Sequence, residues 1–240
     1  MKPQNFFFIG IFLLSFFTVF SQDSISSKVN LSARQKTMRI ELQIGGGGGF
    51  SSINTGLITD KKDTVKISAG GGGSFGILTA YKFNKNFEVS LAGFIQTSSL
   101  TPSVSNASGF FDRNVIEPVI KYLFYIKKNF SLGMGAGFHY GMKGILDLDA
   151  SKIKGGAHNI YKYGNSSGAT AIFEYRRLPS KHNFSYGFGL KYYGAKWNLK
   201  SISSDGKDIP LQYVSKEILD KIQMLDGSAI EAFLGLAYHF

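Results

Sequence analysis

Five glutamates, Glu41, Glu88, Glu117, Glu174 and Glu231, recur along the chain among Arg39, Lys82, Arg113, Lys121, Arg176 and Lys191. Two carboxylates in unequal surroundings can divide general acid and base duty between them. Carboxylates buried against guanidinium and ammonium groups instead neutralise one another. The choice depends on the elements that carry them. Other chemistry-bearing residues are sparse. The histidines are His139, His158, His182 and His239, and no two stand at a metal-ligand spacing on one strand. There is no Cys, which removes thiolate metal sites, disulfides and a cysteine nucleophile. The glycine runs at 45–49 and 70–73 have the composition of phosphate loops, but neither is followed by Lys-Ser or Lys-Thr. Flexible hairpin ends, or close packing at a rim, are the expected reading.

The bulk composition narrows the elements. Of 240 residues only 18% are charged, while 15% are aromatic and 29 are Gly. Many short strands give that balance, and disorder does not. The net charge is +11, yet the basic residues form neither a block nor a helix stripe. Nucleic-acid binding is therefore not expected. The opening "MKPQNFFFIGIFLLSFFTVFSQ" has a basic residue, an apolar run over 6–20 and a polar exit. That is the geometry of a secretory signal peptide over 1–21, and the run falls short of the roughly 20 residues that span a bilayer. Residues 22–37 are polar and read as a flexible lead.

From Met38 onward a period of two returns eight times. Met38, Ile40, Leu42 and Ile44 oppose Arg39, Glu41 and Gln43. The pattern recurs over 74–83, 87–96, 112–124, 130–141, 169–176, 184–192 and 230–240. Gly133, Gly135 and Gly137 share one face of the fifth strand. Long connections, 50–73, 99–111, 143–168 and 198–227, strictly alternate with short ones, 84–86, 125–129 and 177–183. An up-and-down meander has that rhythm. A soluble barrel would put the apolar faces inside. Charge placement argues for the inverse. All five glutamates and their basic partners fall on the polar faces, and the opposite faces carry essentially no charge. A charge facing lipid costs about 2–4 kcal/mol at mid-depth, so a membrane barrel enforces this separation. The apolar faces also end in aromatics near the short turns, among them Phe83, Phe87, Tyr122, Phe124, Phe130, Tyr175 and Phe184, as an interfacial girdle does.

These residues resemble bacterial outer-membrane proteins, and specifically the small barrels of the OmpA-transmembrane or OmpX type. The resemblance covers 38–240 and rests mainly on architecture. One motif supports it: Gly235-Leu236-Ala237-Tyr238-His239-Phe240 is similar to the closing strand such proteins present to the barrel-assembly machinery. That pattern favours a polar residue two before the glycine, where this chain has Phe233. The resemblance implies a Gram-negative outer membrane, periplasmic termini and outward-facing long loops. It also implies lipopolysaccharide and the assembly machinery as partners, with Gly235, Tyr238 and Phe240 as the assembly signal.

The expected fold is all-β, an eight-stranded antiparallel up-and-down transmembrane barrel. In the last long loop, Val214, Ile218, Ile222 and Leu225 recur at helical spacing and predict a short helix. Pro118 breaks a ladder hydrogen bond and predicts a bulge or irregularity. Eight strands enclose a space that side chains fill, so Arg39, Glu41, Lys82, Glu88, Arg113, Glu117, Lys121, Glu174, Arg176, Lys191 and Glu231 are expected to form a lumenal salt-bridge network. The expected function is non-enzymatic, with no cofactor: a barrel presenting surface loops to an extracellular or envelope partner. Lys61, Lys62, Lys152, Lys154 and Lys207 in those loops point to an anionic one. A narrow porin-like channel or solute conduit is the alternative. A lipid- or peptide-modifying enzyme stands behind both. The His-x-Ser spacing of lipid-A deacylases is missing at His139, and only Asp147, Asp149 and His158 resemble the acid and histidine set of an omptin-like protease.

Overall fold

The computed structural model describes residues 38–127, 129–178 and 183–240; the expected signal peptide and lead lie outside them. The described residues form β1 (Met38–Gly49), β2 (Ser52–Ile58), β3 (Thr64–Ser68), β4 (Gly72–Lys82), β5 (Phe87–Thr101), β6 (Ser108–Lys127), β7 (Phe130–Asp149), β8 (His158–Tyr163), β9 (Ser166–Arg177), β10 (Phe184–Tyr193), β11 (Lys196–Ser204), β12 (Lys207–Ile209), β13 (Met224–Asp226) and β14 (Ala229–His239). Among the described residues a single α-helix, α1 (Lys216–Ile222), follows a 3-10 turn at Leu211–Tyr213.

Eight strands, β1, β4, β5, β6, β7, β9, β10 and β14, each pair antiparallel with the next. β14 then pairs back onto β1, from Arg39↔His239 to Gly49↔Ala229, so no edge remains in the wall. The barrel is inverted relative to a soluble one. Outward-facing Phe188 and Leu234 are 55% and 59% exposed, while inward-facing Glu41 and Glu117 are 0% and 1% exposed. Closure pairs the strands all the way round the wall, as a hydrocarbon surrounding demands. At the short-turn rim the aromatics touch in a chain: Phe83–Phe87, Phe87–Tyr122 and Tyr122–Phe124 on one side, Phe184–Tyr238 and Tyr238–Phe240 on another.

Three expectations are adjusted. Pro118 causes no bulge, only a gap in the ladder with β7. It pairs with Leu91, and the register against β7 is the same on either side, Ile116↔Tyr140 and Val119↔Gly137. The register shifts instead between Asp112 and Asn114, where β7 inserts an extra residue at Met142 to Ile145, and Lys143 there takes a left-handed φ of 50°. Second, the long connections are not simple loops. β5, β6 and β7 run on past their expected ends to 15, 20 and 20 residues, and β2, β3, β8, β11, β12 and β13 add sheet above the barrel. Third, the helix exists, but Ile218 is exposed and Leu219 packs inward with Ile222 and Leu225.

The glycine runs have a packing reason. A Cβ on Gly47 would stand 2.0 Å from the Ile230 carbonyl oxygen, and one on Gly70 would stand 2.4 Å from that of Gly227. At Gly47 the backbone of β14 approaches β1, at Gly70 the residues just before β14 approach the segment leading into β4, and at these two positions only glycine permits it.

Candidate functional site: a charged lumen beneath an apolar cap

The alternation that faces apolar residues outward sends every second residue into the lumen. Near the short turns this gathers three carboxylates and three cations from opposite walls. Arg39 on β1 donates to Glu88 on β5 at 2.7 and 3.1 Å and also to Glu41. Glu41 accepts in addition from Arg176 on β9 at 2.5 Å and from Gln43 at 2.8 Å. Arg176 reaches Glu174 at 2.5 Å, and Lys121 on β6 reaches Glu174 at 2.8 Å and Glu88 at 3.7 Å. Ser185 accepts from Arg176 and lies 2.6 Å from His239 Nε2. The group is neutral as drawn, and every carboxylate has at least two cationic neighbours, which is what burial of charge requires.

A second group lies toward the long connections. Lys191 on β10 stands 3.1 Å from Glu117 and 3.4 Å from Glu231, with Phe94 beneath its ammonium at 4.0 Å. Glu117 also meets His139 Nδ1 at 2.7 Å, and the His139 ring lies flat on Tyr193 with centroids 4.3 Å apart. Glu231 accepts from Ser74 at 2.6 Å and from Gln96 at 3.2 Å. Apolar side chains, Leu78, Ala80, Ala92, Phe94 and Val115 in one cluster and Val119, Ile172 and Phe233 in another, occupy space beside these charges.

Lumenal glycines leave room for the charges. A Cβ on Gly235 would lie 1.9 Å from Glu41 Oε1, and one on Gly45 would lie 2.4 Å from Glu231 Oε1. The glycine of the closing-strand motif is thus occupied with a packing task as well. A space of about 20 Å3 remains between Arg39, Lys82, Glu88, Glu174, Arg176 and His239. That holds about one water molecule. A larger concavity of about 750 Å3 lies on the outer wall, between Ile44, Phe188, Leu190 and Leu234.

Two of the eleven residues expected in the network are held in other ways. Arg113 has no carboxylate within salt-bridge distance among the described residues. Its guanidinium donates to the carbonyl oxygens of Ala69, Gly70 and Gly71 at 2.5, 2.9 and 2.8 Å. Tyr193 donates to the Gly70 carbonyl as well, so the glycine segment is tied across the lumen mouth. Lys82 sits half-buried at the short-turn rim and reaches the Tyr125 hydroxyl at 3.1 Å. The partners Gln43, Ser74, Gln96, Ser185 and Tyr193 were not singled out from the sequence, and His139 was weighed only as a metal or catalytic residue, although all fall on lumenal faces of the alternating pattern.

Above Arg113 the interior turns apolar. Trp197 and Phe111 are fully buried, with ring centroids 5.8 Å apart at 81°, and Tyr163 meets Phe111 edge-on at 5.7 Å. Val65, Ile67, Leu146, Ile202, Ile222 and Leu225 complete this cap core. Its strongest legible signal is the Asp205-Gly206 pair, both at positive φ, which turns β11 into β12. On the cap surface His158 Nε2 lies 2.8 Å from Asp147. That hydrogen bond raises the His158 pKa above its ordinary value. Both side chains are exposed, and Asp149 is engaged with Ser151 instead.

No family model matches the chain, and no curated protein is similar to it. Solved structures are. The outer membrane protein OprG from Pseudomonas aeruginosa is 13% identical, with a TM-score of 0.53 over 85% of this chain and 96% of its own. The attachment invasion locus protein Ail of Yersinia pestis is 14% identical, with a TM-score of 0.45 over 85% and 97%. The outer membrane protein AlkL is 10% identical, with a TM-score of 0.45 over 91% and 96%. At such identities the likeness is one of fold. The chain has the closed eight-stranded fold of the small bacterial outer-membrane β-barrel proteins.

Proposed function

We propose that this chain is a non-conducting, non-enzymatic outer-membrane barrel that holds a folded cap at the cell surface for contact with an envelope or extracellular partner. One observation carries the reading: the lumen is closed twice, by interlocked ion pairs and then by a packed apolar cap. A conduit needs a continuous polar path, and the space among the charges near the short turns is about one water in size. Planar-bilayer recording tests this. The intact protein should show no steady conductance, and a steady current altered by Glu117→Gln would overturn the plug.

The outward direction of the cap, with periplasmic termini, follows the resemblance. Because the chain has no Cys, Lys207→Cys gives a clean label site. A membrane-impermeant maleimide should modify it on intact cells. Labelling only after the cells are opened would reverse the orientation. The closing strand, with Gly235, Tyr238 and Phe240, serves in this reading as the assembly signal. Deleting Phe240 should impair insertion while leaving export intact, and normal barrel levels without it would remove that role. The exposed lysines of the cap, including Lys61, Lys62, Lys152, Lys154 and Lys207, fit an anionic partner such as lipopolysaccharide.

A further inference from the structure

The net charge of +11 is not spread evenly over the molecule. Inside the barrel, Arg39, Arg113, Lys121, Arg176 and Lys191 equal the five glutamates in number. The cap is also close to balance. Its segments, 50–71, 97–112, 142–165 and 194–228, hold twelve basic and ten acidic residues. The short-turn end is different. By chain position Lys82, Lys85, Lys127, Lys128, Arg177 and Lys181 lie in or beside the three short turns. No Asp or Glu stands in 82–87, 122–130 or 175–186. Of the eleven net positive charges, six therefore belong to this end, two to the cap, none to the lumen and three to residues 1–37.

These cations are distributed as a ring. The short turns join β4 to β5, β6 to β7 and β9 to β10, so they recur at every second strand boundary around the wall. Only the β14–β1 side, where the described chain begins and ends, lacks one. Arg177 faces outward: it donates to the Tyr186 hydroxyl at 2.9 Å and stands 5.7 Å from the ring centroid of that tyrosine, itself 54% exposed on the outer wall. Lys85 is exposed in a turn that Asn84 closes by accepting from the Asn86 and Phe87 amides. Lys82 lies at the lumen mouth against Tyr125 and adds to the same field. The aromatic contacts Phe83–Phe87, Phe87–Tyr122 and Phe184–Tyr238 lie at this level, and aromatic belts mark the depth of headgroups. A folded partner would cover one side of the rim, whereas a leaflet meets all of it. Charge on three sides at headgroup depth therefore selects lipid over protein. We propose that the short-turn rim is a diffuse electrostatic anchor that gathers anionic phospholipid, of the phosphatidylglycerol class, in the adjoining leaflet. The inference goes beyond the reading above and does not depend on which way the cap points.

Spin-labelled phosphatidylglycerol and phosphatidylcholine are compared in nanodiscs that hold the full chain. The motionally restricted fraction of each label gives the preference of the barrel for its headgroup. The parent should prefer phosphatidylglycerol about fourfold at low salt, given the attraction of each rim cation to an anionic surface. That preference should approach unity at about 1 M salt, where the Debye length is about 3 Å. The combined variant Lys85→Gln, Lys127→Gln, Lys128→Gln, Arg177→Gln and Lys181→Gln should lower it below about 1.5-fold at low salt. The control Lys61→Gln, Lys62→Gln, Lys152→Gln, Lys154→Gln and Lys207→Gln removes the same charge from the turns at the hairpin tips of the cap. Those turns stand more than a Debye length beyond the wall, so the control should stay above about threefold. Heat-modifiable gel migration confirms folding. If the combined variant does not fold, Lys85→Gln with Arg177→Gln and Lys128→Gln with Lys181→Gln should each remove about half of the preference. Equal loss in the control, no loss in the rim variants, or a preference insensitive to salt overturns the proposal. Fluorescent polyglutamate stands in for a soluble acidic partner. Rim-dependent capture of polyglutamate with an unchanged headgroup preference would assign the ring to such a partner and overturn the lipid assignment. A current through the lumen, or reversed labelling at Lys207→Cys, bears on the reading above and leaves these outcomes unchanged.

Discussion

The lumen and the cap are two interiors enclosed by the same strands, and they follow opposite rules. Inside the barrel the largest buried side chains include the charged Glu41, Glu117, Lys121 and Lys191, with smaller apolar clusters beside them; inside the cap they are Trp197, Phe111, Ile67 and Leu146. The difference comes from what lies outside the wall. Where lipid surrounds the strands, the apolar half of each alternation must face out, and the polar half is left to pair inside. Where water surrounds them, the ordinary arrangement returns, with Lys196, Asn198 and Lys200 outward and Trp197 and Leu199 inward on β11. The changeover on β7 is made by one extra residue. The bulge at Met142 to Ile145 shifts the inward phase from His139 and Gly141 to Gly144, Leu146 and Leu148. A single strand thereby serves both interiors.

That contrast can be broken in order of expected effect. The largest loss should follow Glu41→Ala. It strands Arg39 and Arg176 beside each other without the carboxylate both contact. Breaking a buried charge group from one side costs about 3–5 kcal/mol. Urea unfolding in lipid, read by gel migration, should show that loss for the whole barrel, and an unchanged midpoint would refute the idea that the lumen is held by pairing. Trp197→Ala removes the largest cap side chain, and such truncations cost about 3–5 kcal/mol at the site. Here the loss should stay local. Protease should cut the 198–227 connection faster, while barrel migration and unfolding stay as in the parent. If the barrel unfolds together with the cap, the two interiors are one cooperative unit.

Gly47→Ala should fall next. Its Cβ meets a backbone oxygen of β14, which cannot swing aside, and overpacking of this kind costs about 1–3 kcal/mol. Gly48→Ala, which meets nothing, is the matched control and should be near neutral. The smallest effect concerns the cap surface. The Asp147 hydrogen bond raises the His158 pKa, so its contribution is full below the ordinary histidine range and fades as pH rises through the raised value. An NMR titration of the His158 ring should give a lower midpoint in Asp147→Asn than in the parent. Identical midpoints would show that the pair does not form in solution.

The eight barrel strands and the lumenal side of each charge were readable because lipid forbids exceptions. Arg39, Glu88 and Glu231 could face only one way. Arg113 was also readable as inward-facing, yet its partners were not: the three carbonyl oxygens it holds belong to a segment more than forty residues away, brought over it by the pairing of β4 and β5 with the wall. The cap strands escaped notice for a different reason. Their alternation is present in Lys196 to Leu199, but the bulge on β7 interrupts the phase, and the strands β2, β3, β12 and β13 are too short to stand out from a polar connection. At Pro118 the ladder with β7 is interrupted, as expected of a proline, but β6 accommodates the gap with the register intact.

Residue order alone determined a closed wall with apolar faces outward, since a strict period of two with charges confined to one phase has no other low-energy arrangement in a bilayer. Tertiary structure decided which charges meet, because pairing depends on the stagger of strands around the barrel and on glycines such as Gly235 that make space for a carboxylate from another strand. It also decided that the long connections fold into a second core. That core draws on side chains from β3, β6, β7, β8, β11 and β13, and no local stretch of sequence contains enough of it to be recognised.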